Sequence, residues 1–232
     1  MLSNYIKKMP VYQLPDEPYF PDPEEASNEG LIAVGGDLSP QRLVAAYGSG
    51  IFPWYNDGDP IMWWSPNPRM VLFPERFKIS KSFRQTLNKN KFELRIDTAF
   101  HEVIANCKTI ARKGEEGTWI THDMKAAYIK LHEFGLAHSF ESWQDGKLVG
   151  GLYGVSLGHV FFGESMFAKV SDASKVAFYH LSQFCIRNKF PIIDCQVPND
   201  HLASLGAEEI PRTEFLSILG EAFKGETLQG SW

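Results

Sequence analysis

Residues Pro191 to Gly206 read PIIDCQVPNDHLASLG, an apolar run interrupted by the polar triplet Asp194-Cys195-Gln196 and followed by a short helix that ends at Gly206. Successive side chains of a strand point to opposite faces, so Asp194 and Gln196 are expected on one face and Cys195 on the other. A carboxylate and an amide then stand together with no obvious nucleophile beside them. Burying a carboxylate is costly without partners. The pair therefore reads either as an internal hydrogen-bond clasp or as a site that meets a ligand's polar group.

Working outward, Ala173 to Arg187 carries Phe178, Leu181, Phe184 and Cys185 at helical spacing. Three strand-like runs precede it, Ser139 to Trp143, Leu148 to Val155 and His159 to Gly163, with turns at Asp145-Gly146 and Leu157-Gly158 and a loop expected from Glu164 to Asp172. A meander, a crossover helix and a further strand is the order of a mixed sheet with helices packed on it. The crossover joins the strand ending at Gly163-Glu164 to the one bearing Asp194 and Gln196. These two are expected to be sheet neighbours whose ends form a cleft.

Further upstream, a helix is expected from Ser80, a strand from Phe92 to Ile96 and a helix from Ala99 to Cys107. Thr121 caps another helix with Met124, Ala127, Tyr128 and Leu131 on its apolar side, and Gly135 ends it. Residues 68–232 are thus expected to form an α/β (α+β) domain with a mixed sheet. Residues 1–67 form a smaller domain rich in proline, glycine and aromatics. Its one expected helix runs from about Gln41 to Tyr47, with Ser39 as cap and Pro40 at its first position.

The 232 residues, 44% hydrophobic and 22% charged, are enough for one good core or two unequal domains without disulfides or metal. Cys107, Cys185 and Cys195 are odd in number and widely spaced, which fits a reducing, cytoplasmic setting and no disulfide framework. The seven histidines show no ligand spacing, so no metal is expected. The opening MLSNYIKKMP lacks an apolar core, and no run approaches the roughly 18 apolar residues of a membrane span. A net charge of −5 argues against a general nucleic-acid coat, yet Arg76 to Phe92 holds six basic residues and no acidic one. That stretch reads either as a solvated helix face or as a local contact for a few phosphates.

Several segments together resemble the bacterial leucyl/phenylalanyl-tRNA-protein transferases. They are GLIAVGGDLSPQRLVAAYGSGIFPWY (Gly30 to Tyr55), WWSPNPR (Trp63 to Arg69), EEGTWIT (Glu115 to Thr121), HVFFGESMF (His159 to Phe167), DASK (Asp172 to Lys175) and DCQVPNDHLASLGAEEIPR (Asp194 to Arg212). The matches are ordered and cover most of the chain. The resemblance implies an aminoacyltransferase that moves leucine or phenylalanine, less readily methionine, from aminoacyl-tRNA to proteins with N-terminal arginine or lysine, within the N-end rule pathway of protein degradation. It also implies a catalytic domain similar to the acetyltransferase-like (GNAT) fold. Coenzyme A is not expected, because Ser165 to Ala173, where such enzymes place a Gly-rich loop, contains no glycine. No other cofactor is implied.

The same resemblance assigns the site. Asp194 and Gln196 are the catalytic pair. The attacking group is an α-amine with a pKa of about 7.7 to 8, so roughly a tenth to a fifth is neutral at pH 7 and a strong base is dispensable. An amide has no useful basicity; Gln196 is expected to hold the amine, with Asp194 fixing the amide or steadying the ammonium. Glu164 is expected to face the substrate's N-terminal arginine or lysine. Leu152, Met166 and Ile193 are candidates for the acyl side-chain pocket, Met166 being adaptable to two shapes. Trp54 and Trp119 are expected near the tRNA 3' end, and Arg76, Lys81 and Arg84 at its phosphates. Two other readings stay open: a thiol hydrolase built on Cys195 and His201, and a non-catalytic module that binds tRNA or peptide.

Overall fold

A computed structural model describes residues 11–109 and 120–232, so Trp119 lies outside the described residues. The N-terminal part is more regular than its composition suggests. Strands β1 (Tyr12–Gln13), β2 (Leu31–Val34), β3 (Phe52–Pro53) and β4 (Met62–Trp64) form a four-stranded sheet in the order β1-β2-β4-β3. Strands of two to four residues are too short for alternation to show in sequence. Helix α1 (Pro40–Gly48) lies between them, and Ser39 Oγ accepts the Arg42 N–H at its start.

The larger sheet has seven strands. Its members are β5 (Arg69–Leu72), β6 (Glu93–Ile96), β7 (Ala137–Gln144), β8 (Lys147–Leu157), β9 (Val160–Ala168), β10 (Ile192–Gln196) and β11 (Glu208–Ile210), in the order β11-β5-β10-β9-β8-β7-β6. The expected hairpins β7-β8 and β8-β9 are antiparallel, and β9 pairs with β10 in parallel, as a crossover requires. Between them runs α5 (Ala173–Arg187), with the bounds expected from its periodicity. Strands β5 and β11 were not foreseen; they extend the sheet beyond β10.

One face of this sheet packs on α5 through Leu152, Phe161, Leu72 and Ile193 against Phe178 and Leu181. The opposite face carries Val71, Tyr153, Val155, Phe162 and Ile192. It is covered by α3 (Phe100–Thr109), α4 (His122–Glu133) and α7 (Arg212–Ala222), and by the N-terminal layer through Leu43, Tyr47 and Trp63. Helix α4 starts as expected, with Thr121 Oγ1 accepting from Met124 N, and ends at Gly135, whose φ of +68° needs glycine. Two shorter helices are also described, α2 (Lys81–Asn88), capped by Ser80, and α6 (Asp200–Ser204). No described helix is long and apolar enough to cross a membrane.

One departure matters for the site. The expected loop at Glu164 is strand, because β9 continues to Ala168. The register of β8 and β9 shifts between Tyr153 and Gly154, leaving Glu164 as the extra residue of a β-bulge. The bulge breaks the period-two pattern and hides the second half of the strand from the sequence.

The seat of α5 on the sheet is unusually close. Ser142 Oγ donates to the Ala173 carbonyl at 2.8 Å, and a Cβ on Gly150 would stand 2.5 Å from that of Ala173. Gly150→Ala should therefore push the start of α5 outward. We expect a loss of about 1–3 kcal/mol in urea unfolding; an unchanged midpoint would show that this contact is loose.

Candidate active site

Strands β9 and β10 are paired from Val160↔Ile192 to Phe162↔Asp194, and then part. Both strands are irregular where they separate. On β10 the register against β5 shifts between Asp194 and Gln196, and Gln196 takes a φ of +65°. Left-handed backbone costs roughly 1–2 kcal/mol for a residue with a Cβ, so something must hold it. Asp194 Oδ1 does so by accepting the Gln196 backbone N–H at 2.9 Å.

Asp194 is fully buried and faces Arg69, to which the sequence pattern assigns no role. Arg69 Nε and Nη2 donate to the two carboxylate oxygens at 2.8 and 2.6 Å, a bidentate pair. The remaining Nη1 donates to the Gly50 carbonyl at 3.1 Å, and the guanidinium lies 4.8 Å from the Phe52 ring and 4.5 Å from that of Phe215. The clasp expected between Asp194 and the Gln196 amide is therefore different in detail. Asp194 fixes the backbone of Gln196, and it is Glu164 Oε1 that accepts from Gln196 Nε2, at 2.9 Å.

Glu164 is buried with its carboxylate among polar hydrogens. Tyr47 Oη, from α1, donates to Oε1 at 2.6 Å, and Tyr128 Oη, from α4, lies 2.9 Å from Oε2. Burial raises the Glu164 pKa from its ordinary 4.5 to about 7; the nearby Asp194 charge adds to this, while the hydroxyl and amide hydrogen bonds oppose it. Burial and the Glu164 charge also push both tyrosines well above their usual range, so they remain hydrogen-bond donors.

The parting strands open a cleft of about 410 Å³, within the range of small-ligand sites. Glu164, Asp194 and Gln196 line it, as do the three predicted pocket residues Leu152, Met166 and Ile193. Phe178, Leu181 and Leu202 extend that apolar wall, and Trp54, 42% exposed, stands at the lining with its ring 5.9 Å from Trp64. Cys195 packs with Ile193 on the face away from Asp194, as alternation predicts, yet that face also borders the cleft. Burial, aided by the Asp194 charge, pushes its thiol far above the range in which thiolate forms. Cys195 is thus a poor nucleophile, although His201 lines the same space.

The basic residues are not drawn into this lining. Lys81 and Arg84 sit exposed on α2. Arg76 forms an ion pair with Glu208, lies over the Phe73 ring at 4.3 Å, and borders a separate hollow with Lys189 and Pro191, just before the first residue of β10. Of the residues the sequence missed, Arg69 left one signal, a lone charge heading the apolar run Met70-Val71-Leu72. In sequence Tyr128 reads only as a core position, and Tyr47 as an aromatic among small helical residues.

Two consequences can be measured. Asp194→Asn strands the buried Arg69 guanidinium, and we expect a loss of about 3–5 kcal/mol in urea unfolding; a loss below about 1 kcal/mol would mean that Gly50 and the flanking rings suffice. For Glu164 the folded-state pKa lies above the unfolded one, so its contribution to stability is complete below pH 4.5 and is lost as pH rises through about 7. Glu164→Gln should remove that decline, so the variant's Tm should gain on the wild type across this window. A constant difference in Tm would contradict the raised pKa.

Comparison with known proteins places the chain in a family. Residues 71–220 match the family model of leucyl/phenylalanyl-tRNA protein transferase, and residues 36–67 that of its N-terminal domain. A leucyl/phenylalanyl-tRNA–protein transferase of Desulfatibacillum aliphaticivorans is 55% identical over 97% of this chain and 96% of its own. That of Myxococcus xanthus is 54% identical over 97% of each chain. Among solved structures, an aminoglycoside acetyltransferase from an uncultured soil metagenomic sample aligns with a TM-score of 0.37 at 14% identity, covering 49% of this chain and 84% of that one. L-PGS from Bacillus licheniformis aligns with a TM-score of 0.40 at 9% identity, covering 72% and 53%. With relatives more than half identical along nearly their whole length, and family models over both of its parts, this chain belongs to the leucyl/phenylalanyl-tRNA protein transferases and is an aminoacyltransferase.

Proposed function

We propose that the enzyme transfers leucine or phenylalanine, and less readily methionine, from aminoacyl-tRNA to the α-amine of proteins that begin with arginine or lysine, marking them for N-end rule degradation in the cytoplasm. The observation that carries this reading is the two-sided cleft. One wall is apolar, with Leu152, Met166, Ile193, Phe178 and Leu181; the other holds a carboxylate beside an oriented amide, Glu164 and Gln196. An acyl side chain suits the first wall and a cationic first residue the second.

The ester is already activated, so the reaction needs no further energy source. The α-amine nitrogen bonds to the ester carbonyl carbon, the amine gives up a proton, and the 3' oxygen of the tRNA leaves with one. Glu164 takes the Gln196 amide hydrogen, and among the described residues no hydrogen bond uses Gln196 Oε1. That oxygen can accept from the amine and aim its lone pair at the carbonyl. Asp194 acts one step back: it holds the Gln196 backbone, and Arg69 holds it. Trp54 offers an exposed indole on which the terminal base can stack, with Trp119 as its sequence partner in that role. Lys81, Arg84 and Arg76 are left as outlying phosphate contacts, Arg76 being the weakest because Glu208 already neutralises it.

Labelled leucyl-tRNA incubated with a peptide beginning with arginine tests the reading. Labelled peptide is the expected product; free leucine alone would indicate a hydrolase, and no release a binding module. Glu164→Lys should cut transfer to Arg-peptides at least a hundredfold, a loss of about 3 kcal/mol. Unchanged turnover would remove Glu164 from acceptor recognition.

A further inference from the structure

Three contacts among four oxygens at the back of the cleft present a counting problem. Tyr47 Oη lies 2.6 Å from Glu164 Oε1, Tyr128 Oη lies 2.9 Å from Oε2, and the two phenolic oxygens are 2.6 Å from each other. Each contact requires one hydrogen between two oxygens, but the two phenols bring only two. If Glu164 is ionised, one contact sets lone pair against lone pair in a buried site, where nothing screens them. A proton on the carboxyl supplies the missing hydrogen. Its position follows as well. Oε1 already accepts from Gln196 Nε2 at 2.9 Å and from Tyr47, so the proton belongs on Oε2.

We propose that Glu164, Tyr47 and Tyr128 form a closed ring of hydrogen bonds that stores one proton in the empty enzyme, and that the cationic first residue of the acceptor displaces it. In the ring Glu164 Oε2–H donates to Tyr128, Tyr128 to Tyr47, and Tyr47 back to Oε1. When a guanidinium or ammonium arrives, the Oε2 proton leaves to solvent and the Tyr128 hydroxyl turns to donate to Oε2. Tyr47 keeps its bond to Oε1, and the contact between the phenols lengthens. Glu164 thereby becomes anionic only when a cation is present to pair with it. Tyr47 and Tyr128 are positioning residues in this scheme, since neither touches the reacting atoms. The second half of the proposal, displacement, rests on reading Glu164 as the acceptor's binding group.

The surroundings favour storing a proton. Tyr47 comes from α1, Tyr128 from α4, and the Tyr153 ring of β8 packs edge-on to Tyr128 at 5.5 Å. Asp194 on β10 is a second carboxylate whose charge opposes ionisation of Glu164, although Arg69 of β5 is already committed to it. Across the cleft stand Cys195 and His201, the latter with a pKa lowered by burial and then by Lys175, so it brings no compensating charge at neutral pH. Among these described neighbours there is no cation free to neutralise an ionised Glu164.

Infrared spectroscopy of the whole protein with isotope-labelled glutamate tests the resting state without any substrate. On the acid side of pH 7 we expect a protonated carboxylic C=O band that disappears in Glu164→Gln, and that shifts to higher frequency in Tyr128→Phe because the acid proton loses its acceptor. An ionised Glu164 there, or a protonated band that Tyr128→Phe leaves unmoved, would overturn the ring. The Tyr128→Phe comparison stands even if Glu164→Gln does not fold. Displacement is read by calorimetry of an Arg-N-terminal peptide at the same pH in two buffers of different ionisation enthalpy. Release of close to one proton per bound peptide is expected. Equal heats in the two buffers would overturn displacement while the infrared result still judges the ring. An Ala-N-terminal peptide that binds equally tightly would instead sink the acceptor reading, and displacement with it.

Discussion

The bidentate pair between Arg69 and Asp194 is the contact on which the site depends. A buried ion pair adds little net stability, because desolvating both charges cancels much of their attraction. Its value here is geometric. Arg69 is held on three sides, by the Gly50 carbonyl and by the rings of Phe52 and Phe215, so the carboxylate it grips cannot wander. Asp194 in turn holds Gln196 in a left-handed conformation that a residue with a Cβ would not choose unaided. The orientation of the amide is thus fixed by a chain of contacts that begins in the small sheet and passes through β5.

The second constraint is the separation of two parallel strands. While β9 and β10 are paired their backbone groups satisfy one another, and no ligand can enter. Bulges on both strands occur where pairing stops, and each re-aims a side chain: Glu164 towards the tyrosines, Gln196 towards Glu164. Because the strands part at that point, residues of both sheet faces border one space. That is how an apolar wall from the α5 side and a polar wall from the N-terminal side come to share a single cleft.

Much of this was legible in the sequence. Periodicity was long and regular for α5, and turn chemistry was strong at Asp145-Gly146, so the meander, the crossover and the neighbouring strands were found close to their observed bounds. The small sheet was not, since strands such as Tyr12–Gln13 and Phe52–Pro53 are set by tertiary pairing rather than by local pattern. The continuation of β9 past Gly163 was hidden for a related reason: one extra residue at Glu164 inverts the alternation that identifies a strand. Among site residues, Asp194, Gln196 and Glu164 were visible as polar groups in apolar company. The roles of Arg69 and Tyr47 were not, because they arise from partners more than a hundred residues away in the chain.

The ring around Glu164 draws its members from both parts of the protein. Tyr47 belongs to a helix of the N-terminal layer, whereas Tyr128 and Glu164 belong to the elements of the larger sheet. Gly50 and Phe52, which hold Arg69, come from that same N-terminal layer. Neither part contains the whole arrangement, so either one alone would leave Glu164 and Arg69 without some of their partners. A substitution on either side of the junction is therefore felt on the other.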